Sequence, residues 1–304
     1  MPAPRTPPAD LRGKTCLVTG ATSGIGRATA IGLAELGARV AVVARDAARG
    51  SALAEELEAR RRATGASTQS PAEGGPLLFV ADVSQQAEVR HLARQIEERI
   101  SRLDVLVNNA AVITRRRAST ADGLETQLAV NHLAPFLLTR LLLGLLRRSA
   151  PARIVNVASQ VESQGRIDFE DLGRERSYDP LDAYRQSKLA NVLFTYELAR
   201  RIEGSGVTVN CLHPGVIATR LLDDFLGRPR ALGFVTRMQY PDASEGARTS
   251  IFLASSHEVE DVNGRYFREC AEARSSPASR DRALAERLWR VSSELTGLDP
   301  EEKT

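Results

Sequence analysis

The sequence predicts an α/β fold, a single doubly wound, Rossmann-like parallel sheet with helices on both faces. Short apolar runs rich in β-branched residues alternate with longer amphipathic stretches through most of the 304 residues, and that alternation is the pattern of parallel strands joined by crossover helices. The first run ends in a glycine-rich turn that leads into a helical stretch. Polar residues punctuate the ends of later runs, where an open α/β sheet places its ligands.

The first expected strand is Lys14 to Thr19, followed by Gly20-Ala21-Thr22-Ser23-Gly24-Ile25-Gly26 and a helix over Arg27 to Leu36. Glycines permit a tight turn and close backbone approach, while a helix N-terminus offers unpaired N–H groups and partial positive charge to a diphosphate. The second strand, Arg39 to Ala44, ends at Arg45-Asp46. A carboxylate at this tip bonds the ribose 2′-hydroxyl of NAD, whereas an arginine accepts the 2′-phosphate of NADP. Arg45 therefore points to NADP, and Asp46 is expected to cap the helix Ala47 to Arg62. Thr64 to Pro76 has no periodicity and reads as a surface loop.

Leu77 to Ala81 is the third strand and runs into Asp82-Val83-Ser84, and an amphipathic helix covers Ser84 to Ile100. Asp104 to Val107 is the fourth strand and leads to Asn108-Asn109-Ala110-Ala111. A helix is expected from about Ala121 to Arg148, with Asn131 inside it as a satisfied core amide. Ile154 to Ala158 is the fifth strand and delivers Ser159, and Val207 to Leu212 is the sixth, followed by His213-Pro214-Gly215-Val216. Leu284, Leu288, Val291 and Leu295 recur at helical spacing and predict a terminal amphipathic helix docked on the body.

Asp182 to about Ile202 reads as the central helix. It carries Tyr184 and Lys188 four residues apart, on one face. A nearby ammonium favours the phenolate and draws a tyrosine, ordinarily near about 10, toward neutral pH. By itself the pair also fits a solvated helix face.

Composition narrows the function classes. A net charge of +3, from 41 basic and 38 acidic residues, gives no argument for nucleic acid or an anionic membrane. Cys16, Cys211 and Cys270 lack metal-ligand spacing and fit reduced thiols in a cytoplasm. The apolar run Leu133 to Leu146 falls short of the roughly 20 residues of a bilayer span, so no membrane span is expected. Residues 1–12 read as a disordered lead, 13–270 as the dinucleotide-binding and catalytic domain, and 271–304 as a C-terminal linker and amphipathic helix.

With Thr19-Gly20-x-x-x-Gly24-x-Gly26, Asn108-Asn109-Ala110, Ser159, Tyr184-x-x-x-Lys188 and Pro214-Gly215 in this order, the chain resembles the short-chain dehydrogenase/reductase superfamily. It is most similar to the retinol dehydrogenase-like and WW-domain-oxidoreductase-like members, through Arg153-Ile-Val-Asn-Val, Ile167-x-Phe-x-Asp-Leu172, Ser187 to Phe194, Leu212-His-Pro-Gly-Val216, Ser244-Glu-Gly-Ala247, Gly264-Arg-Tyr-Phe267 and Leu288-Trp289. It departs from that pattern at Ala111, Ala158 and the loop Thr64 to Pro76.

The resemblance implies that Tyr184 donates a proton to a carbonyl oxygen, that Ser159 hydrogen-bonds the same oxygen, and that Asn131 holds a relay water. Lys188 would bind the nicotinamide ribose and lower the Tyr184 pKa. It further implies cofactor contacts by Gly20, Ser23, Gly24 and Ile25 at the phosphates, Asp82 and Val83 at adenine, Asn109 near the ribose, and Val216 and Thr219 toward the carboxamide, with Gly26, Pro214 and Gly215 as further cofactor-binding residues beside Tyr184 and Lys188. A homodimer or homotetramer, with the central helix and its neighbour against a second subunit, is implied in the same way.

The expected function is interconversion of a carbonyl and an alcohol on an apolar small molecule with NADP, NAD being the lesser alternative. Thr219 to Tyr240 reads equally as a substrate-covering flap or as core and subunit contact. Rival readings are a catalytically idle dinucleotide-binding sensor or scaffold, disfavoured by the retained tyrosine and lysine, and an epimerase or dehydratase, disfavoured by glycine spacing.

Overall fold

In a computed structural model, which describes residues 10–65, 77–215, 217 and 242–301, eight strands form one sheet. They are β1 (Thr15–Thr19), β2 (Arg39–Ala44), β3 (Leu77–Val80), β4 (Val105–Asn108), β5 (Ala152–Val157), β6 (Val207–Leu212), β7 (Tyr266–Arg268) and β8 (Ala271–Ala273), in spatial order β3-β2-β1-β4-β5-β6-β7-β8. Every neighbouring pair up to β7 is parallel, and only β7 with β8 is antiparallel. Val216, Thr219, the expected flap, residues 1–9 and residues 66–76 lie outside the described residues.

The helices are α1 (Gly24–Glu35), α2 (Ala47–Ala63), α3 (Gln86–Arg99), α4 (Thr126–Arg148), α5 (Pro180–Arg201), α6 (Ala243–Ser255) and α7 (Arg282–Thr296). Alternation along the strands divides the core in two. In β1, Leu17 joins the core that α3, α4 and α5 cover, while Cys16 and Val18 join the one under α1, α2 and α6. Helix α4 is long and apolar enough to cross a membrane, but 83% of its apolar window is buried inside the fold. It is the core layer over β4 and β5.

Most element positions follow the sequence pattern, and the departures have local causes. Helix α1 begins at Gly24 rather than Arg27, because Gly24-Ile25-Gly26 itself winds into the first turn. Helix α4 begins at Thr126 rather than Ala121. The chain before it makes a bridged turn, with Ser119 paired to Glu125, and the Glu125 carboxylate accepts the Gln127 and Leu128 N–H groups to start the helix. Within α4, residues Ala129–Leu133 form a π-bulge. Helix α5 starts at Pro180 with the Asp179 carboxylate capping Leu181 and Asp182 N–H; a capping acid followed by proline is a strong helix start.

Strands β7 and β8 are absent from the sequence reading, and their hairpin straddles residue 270, where that reading divides catalytic body from linker. The hairpin turn uses Glu269 and Cys270, both with positive φ of 52° and 60°, without the Asn-Gly type of signal that marks such turns.

Helix α7 docks on α5 and reaches α4. Trp289 is 2% exposed and lies 5.1 Å from the Phe136 ring of α4 and 6.1 Å from the Phe194 ring of α5. Gln86 and Arg90 of α3 hold the Leu295 and Thr296 carbonyls. The helix pair that the family resemblance turns toward a second subunit is therefore partly covered by the chain's own terminal helix.

His132, wholly buried in the π-bulge, is pushed down by desolvation to about 4 from 6.5. The unfolded chain binds a proton at this site below 6.5 that the folded chain refuses until about 4. The site's stabilising contribution is thus complete above 6.5 and is lost as pH falls through this window, by about 3 kcal/mol. Urea unfolding followed over this range should show a steeper pH dependence for the wild type than for His132→Asn, and parallel curves would contradict the buried neutral imidazole.

Candidate active site

The site grows from the junction of β1 and β4, where the strand order reverses and a crevice opens at the strand ends. Thr19 at the end of β1 and Asn109 just past β4 bind each other across that junction. The Thr19 hydroxyl accepts the Asn109 and Ala110 N–H groups at 3.0 and 3.1 Å, and Asn109 Nδ2 donates to the Thr19 and Gly20 carbonyls at 2.9 and 3.3 Å. A cleft of about 430 Å³ runs along these ends.

Fourteen of the residues singled out from the sequence line it: Gly20, Ser23, Gly24, Ile25 and Gly26 from the first turn, Arg45, Asp82, Val83 and Asn109 from the following strand tips, Ser159, Tyr184 and Lys188, and Pro214 with Gly215 as a further pair. Asn131 does not line it; its neighbour Val130 does. Asn131 is 1% exposed, and its amide is engaged by protein. Oδ1 accepts the Val112 N–H at 2.8 Å, and Nδ2 donates to the Val112 carbonyl and the Ser187 hydroxyl, each at 3.0 Å. The side chain is a clamp on the cleft wall, as expected of a satisfied core amide.

The glycine turn has the features a diphosphate needs. Ser23, at the N-cap of α1, makes no side-chain cap, and α1 carries no acid in its first turn. By contrast α2, α5, α6 and α7 are capped by Asp46, Asp179, Asp242 and Asp281. The first N–H groups of α1 are thus left without a side-chain acceptor at the cleft, where a bound anion would be stabilised. A methyl group on Gly26 would fall on Asn109 Nδ2 and the Gly20 carbonyl, and one on Gly20 would meet Ala110 Cα at 2.8 Å. The residues fit a dinucleotide.

Charge is concentrated on the β2 and β3 side of the crossover. Arg45, Asp46 and Asp82 line that end, and Asp46 accepts the Arg49 N–H at 2.9 Å as the α2 cap. Arg49 also lines the cleft and donates from its guanidinium to the Thr22 carbonyl at 3.0 Å. The sequence reading missed it, although its position one helical turn beyond Arg45 was the available signal. The opposite end is apolar, walled by Ala111, Val112, Ile113, Val161, Leu181 and Ile217.

Tyr184, Lys188 and Ser159 meet between these ends. Lys188 is 2% exposed and donates to the Val157 carbonyl at 3.1 Å, with Nζ 5.5 Å from the centre of the Tyr184 ring. Burial lowers the Lys188 ammonium to about 8. Burial also pushes the Tyr184 phenol up, and its hydrogen bond with Ser159 only partly opposes this. Loss of water around the phenol sets this direction, and the expected influence of Lys188 on the tyrosine belongs to the proposed chemistry.

The model of the short chain dehydrogenase family matches residues 14–227. Mouse retinol dehydrogenase 14 is 45% identical over 295 residues, covering 96% of this chain and 88% of that protein. Human retinol dehydrogenase 12 is 41% identical over 291 residues, covering 95% and 88%. Among solved structures, an uncharacterised protein of Mycobacterium paratuberculosis superposes with a TM-score of 0.75 at 31% identity, covering 96% of each chain. The NADP complex of RhlG from Pseudomonas aeruginosa gives 0.66 at 28% identity, covering 92% of this chain and all of that one. The chain belongs to the short-chain dehydrogenase family, in its retinol dehydrogenase-like branch. It is an NAD(P)-dependent oxidoreductase acting on alcohol and carbonyl groups.

Gly26→Ala should weaken dinucleotide binding by at least about tenfold, since the added methyl displaces the turn from the position Asn109 holds. Protein fluorescence titration with NADPH measures this, and unchanged affinity with intact folding would contradict the cradle.

Proposed function

We propose that the chain uses NADP(H) to interconvert an apolar alcohol and its aldehyde or ketone, with Tyr184 as acid and base. The observation that carries this reading is the polarity of the cleft: an uncapped glycine turn and two arginines at one end, an uncharged apolar wall at the other, and Tyr184, Ser159 and Lys188 between. The retinol dehydrogenase relatives support an isoprenoid-like or other long apolar substrate.

The nicotinamide cofactor, when bound, supplies or receives the hydride. The chain's own residues do the rest. Tyr184 keeps its proton at neutral pH, because burial raises its pKa, and gives it from the phenol oxygen to the carbonyl oxygen during reduction. Ser159 offers a hydroxyl to the same oxygen as negative charge develops there. Lys188 is fixed by the Val157 carbonyl and presents its remaining N–H donors to the ribose side of the cleft. The apolar wall excludes water from the reacting centre. In the oxidative direction Tyr184 must accept the proton, so alcohol oxidation is favoured by alkaline pH.

Arg45 and Arg49 form the 2′-phosphate subsite in this reading, and Asp46 is engaged as a helix cap. A guanidinium–phosphate pair contributes roughly 1.5 to 3 kcal/mol, about one to two decades of affinity. Arg45→Ala should lose NADPH selectively, Arg49→Ala should do so to a lesser degree because one of its donors serves Thr22, and Asp46→Ala should leave cofactor choice unchanged. Tyr184→Phe should lower turnover of an apolar aldehyde by at least about a hundredfold while NADPH binding persists. Tighter NADH than NADPH binding would overturn the cofactor assignment, and near-normal turnover by Tyr184→Phe would overturn the assignment of the acid.

A further inference from the structure

Three consecutive residues of the π-bulge face three different parts of the protein. Val130 lines the cleft. Asn131 holds both the N–H and the carbonyl of Val112, a cleft-wall residue, and also reaches Ser187, which lies between Tyr184 and Lys188 on α5. His132 points the other way, 2.8 Å from the Ser292 hydroxyl of α7 through Nε2 and 3.4 Å from Asn191 Oδ1 of α5 through Nδ1. Because an amide oxygen can only accept, Nδ1 carries the imidazole proton, and Nε2 accepts from Ser292.

A π-turn inserts one extra residue and is held only where its surroundings over-determine it. Here Asn131 anchors the bulge on the cleft side and His132 on the α7 side, and no residue separates the two. Helix α7 is itself fixed, by Trp289 between α4 and α5 and by α3 at its last carbonyls. It can act as a rigid stop behind the bulge.

We infer that the C-terminal helix belongs to the active-site apparatus: the Ser292–His132 hydrogen bond seats the π-bulge, and through Asn131 it sets the position of Val112 against the catalytic helix. Ser292 and His132 are positioning residues, since neither lines the cleft. The inference rests on the proposed reading of the cleft only for its kinetic consequence.

The test compares Ser292→Ala, Ser292→Thr and His132→Asn with the wild type. Ser292→Ala and His132→Asn should lower kcat for reduction of an apolar aldehyde by about tenfold, the effect of one buried hydrogen bond. NADPH affinity should hold, because the glycine turn is remote from α7. Ser292→Thr, which keeps the hydroxyl, should restore most of the rate. Amide hydrogen exchange supplies a readout independent of substrate: the Val112 N–H, bonded to Asn131, should exchange faster in Ser292→Ala, while the amides of β1 do not change. Lower thermal stability with wild-type kcat and unchanged Val112 exchange would overturn the inference and leave α7 a structural cover. If instead Val112 exchange accelerates and Tyr184→Phe retains turnover, the positioning link stands and the proposed chemistry fails.

Discussion

The grip of β4 on the glycine turn is the contact on which the rest of the site depends. Parallel strands β1 and β4 are neighbours in space although two βα units separate them in the chain, and their helices leave on opposite faces, so the sheet parts at their ends. The mutual hydrogen bonds of Thr19 and Asn109 close that gap at the backbone. They also hold Gly20 and Gly26 in a conformation that leaves no space for a side chain. With the turn so fixed, α1 can direct uncapped N–H groups into the crevice.

A second polar network carries this order to the catalytic side. Asn108 donates to Thr139 of α4 and to Asn156 of β5, and Asn156 donates to Thr195 of α5, at 2.9, 2.8 and 2.9 Å. These groups are buried, where each hydrogen bond that is made favours one packing over its alternatives, although Asn108 Oδ1 itself has no hydrogen-bond partner among the described residues. They register α4 and α5 on the strands whose tips bear Asn109 and Ser159. Tyr184 and Lys188 therefore face the cleft because their helix is tied to the sheet two turns beyond Lys188, at Thr195.

Much of this was legible in the sequence wherever the signal was local. The glycine turn between a strand and a helix, the Asp46 and Asp179 caps, and the four-residue step from Tyr184 to Lys188 are each written within one or two turns of chain. What escaped depended on distant partners. The π-bulge exists because Asn131 finds Val112 and Ser187 while His132 finds Ser292, 160 residues away in sequence. The β7–β8 hairpin turns through non-glycine residues of positive φ. The burial that raises Tyr184 and lowers Lys188 is a property of the assembled cleft, which the spacing of the pair does not encode. The place of α7 on the α4–α5 face was likewise invisible, since an amphipathic helix does not announce which surface it covers.

The central claim is that this cleft passes a hydride between a reduced nicotinamide and the carbonyl carbon of an apolar molecule. Reduction of a long-chain apolar aldehyde with NADPH deuterated at the transferring C4 position, followed by mass spectrometry of the alcohol, tests it most directly. The account predicts one deuterium on the carbinol carbon of the product made by the wild type. Alcohol formed without deuterium from the labelled cofactor, or cofactor bound with no alcohol formed from any apolar aldehyde or ketone, would contradict it.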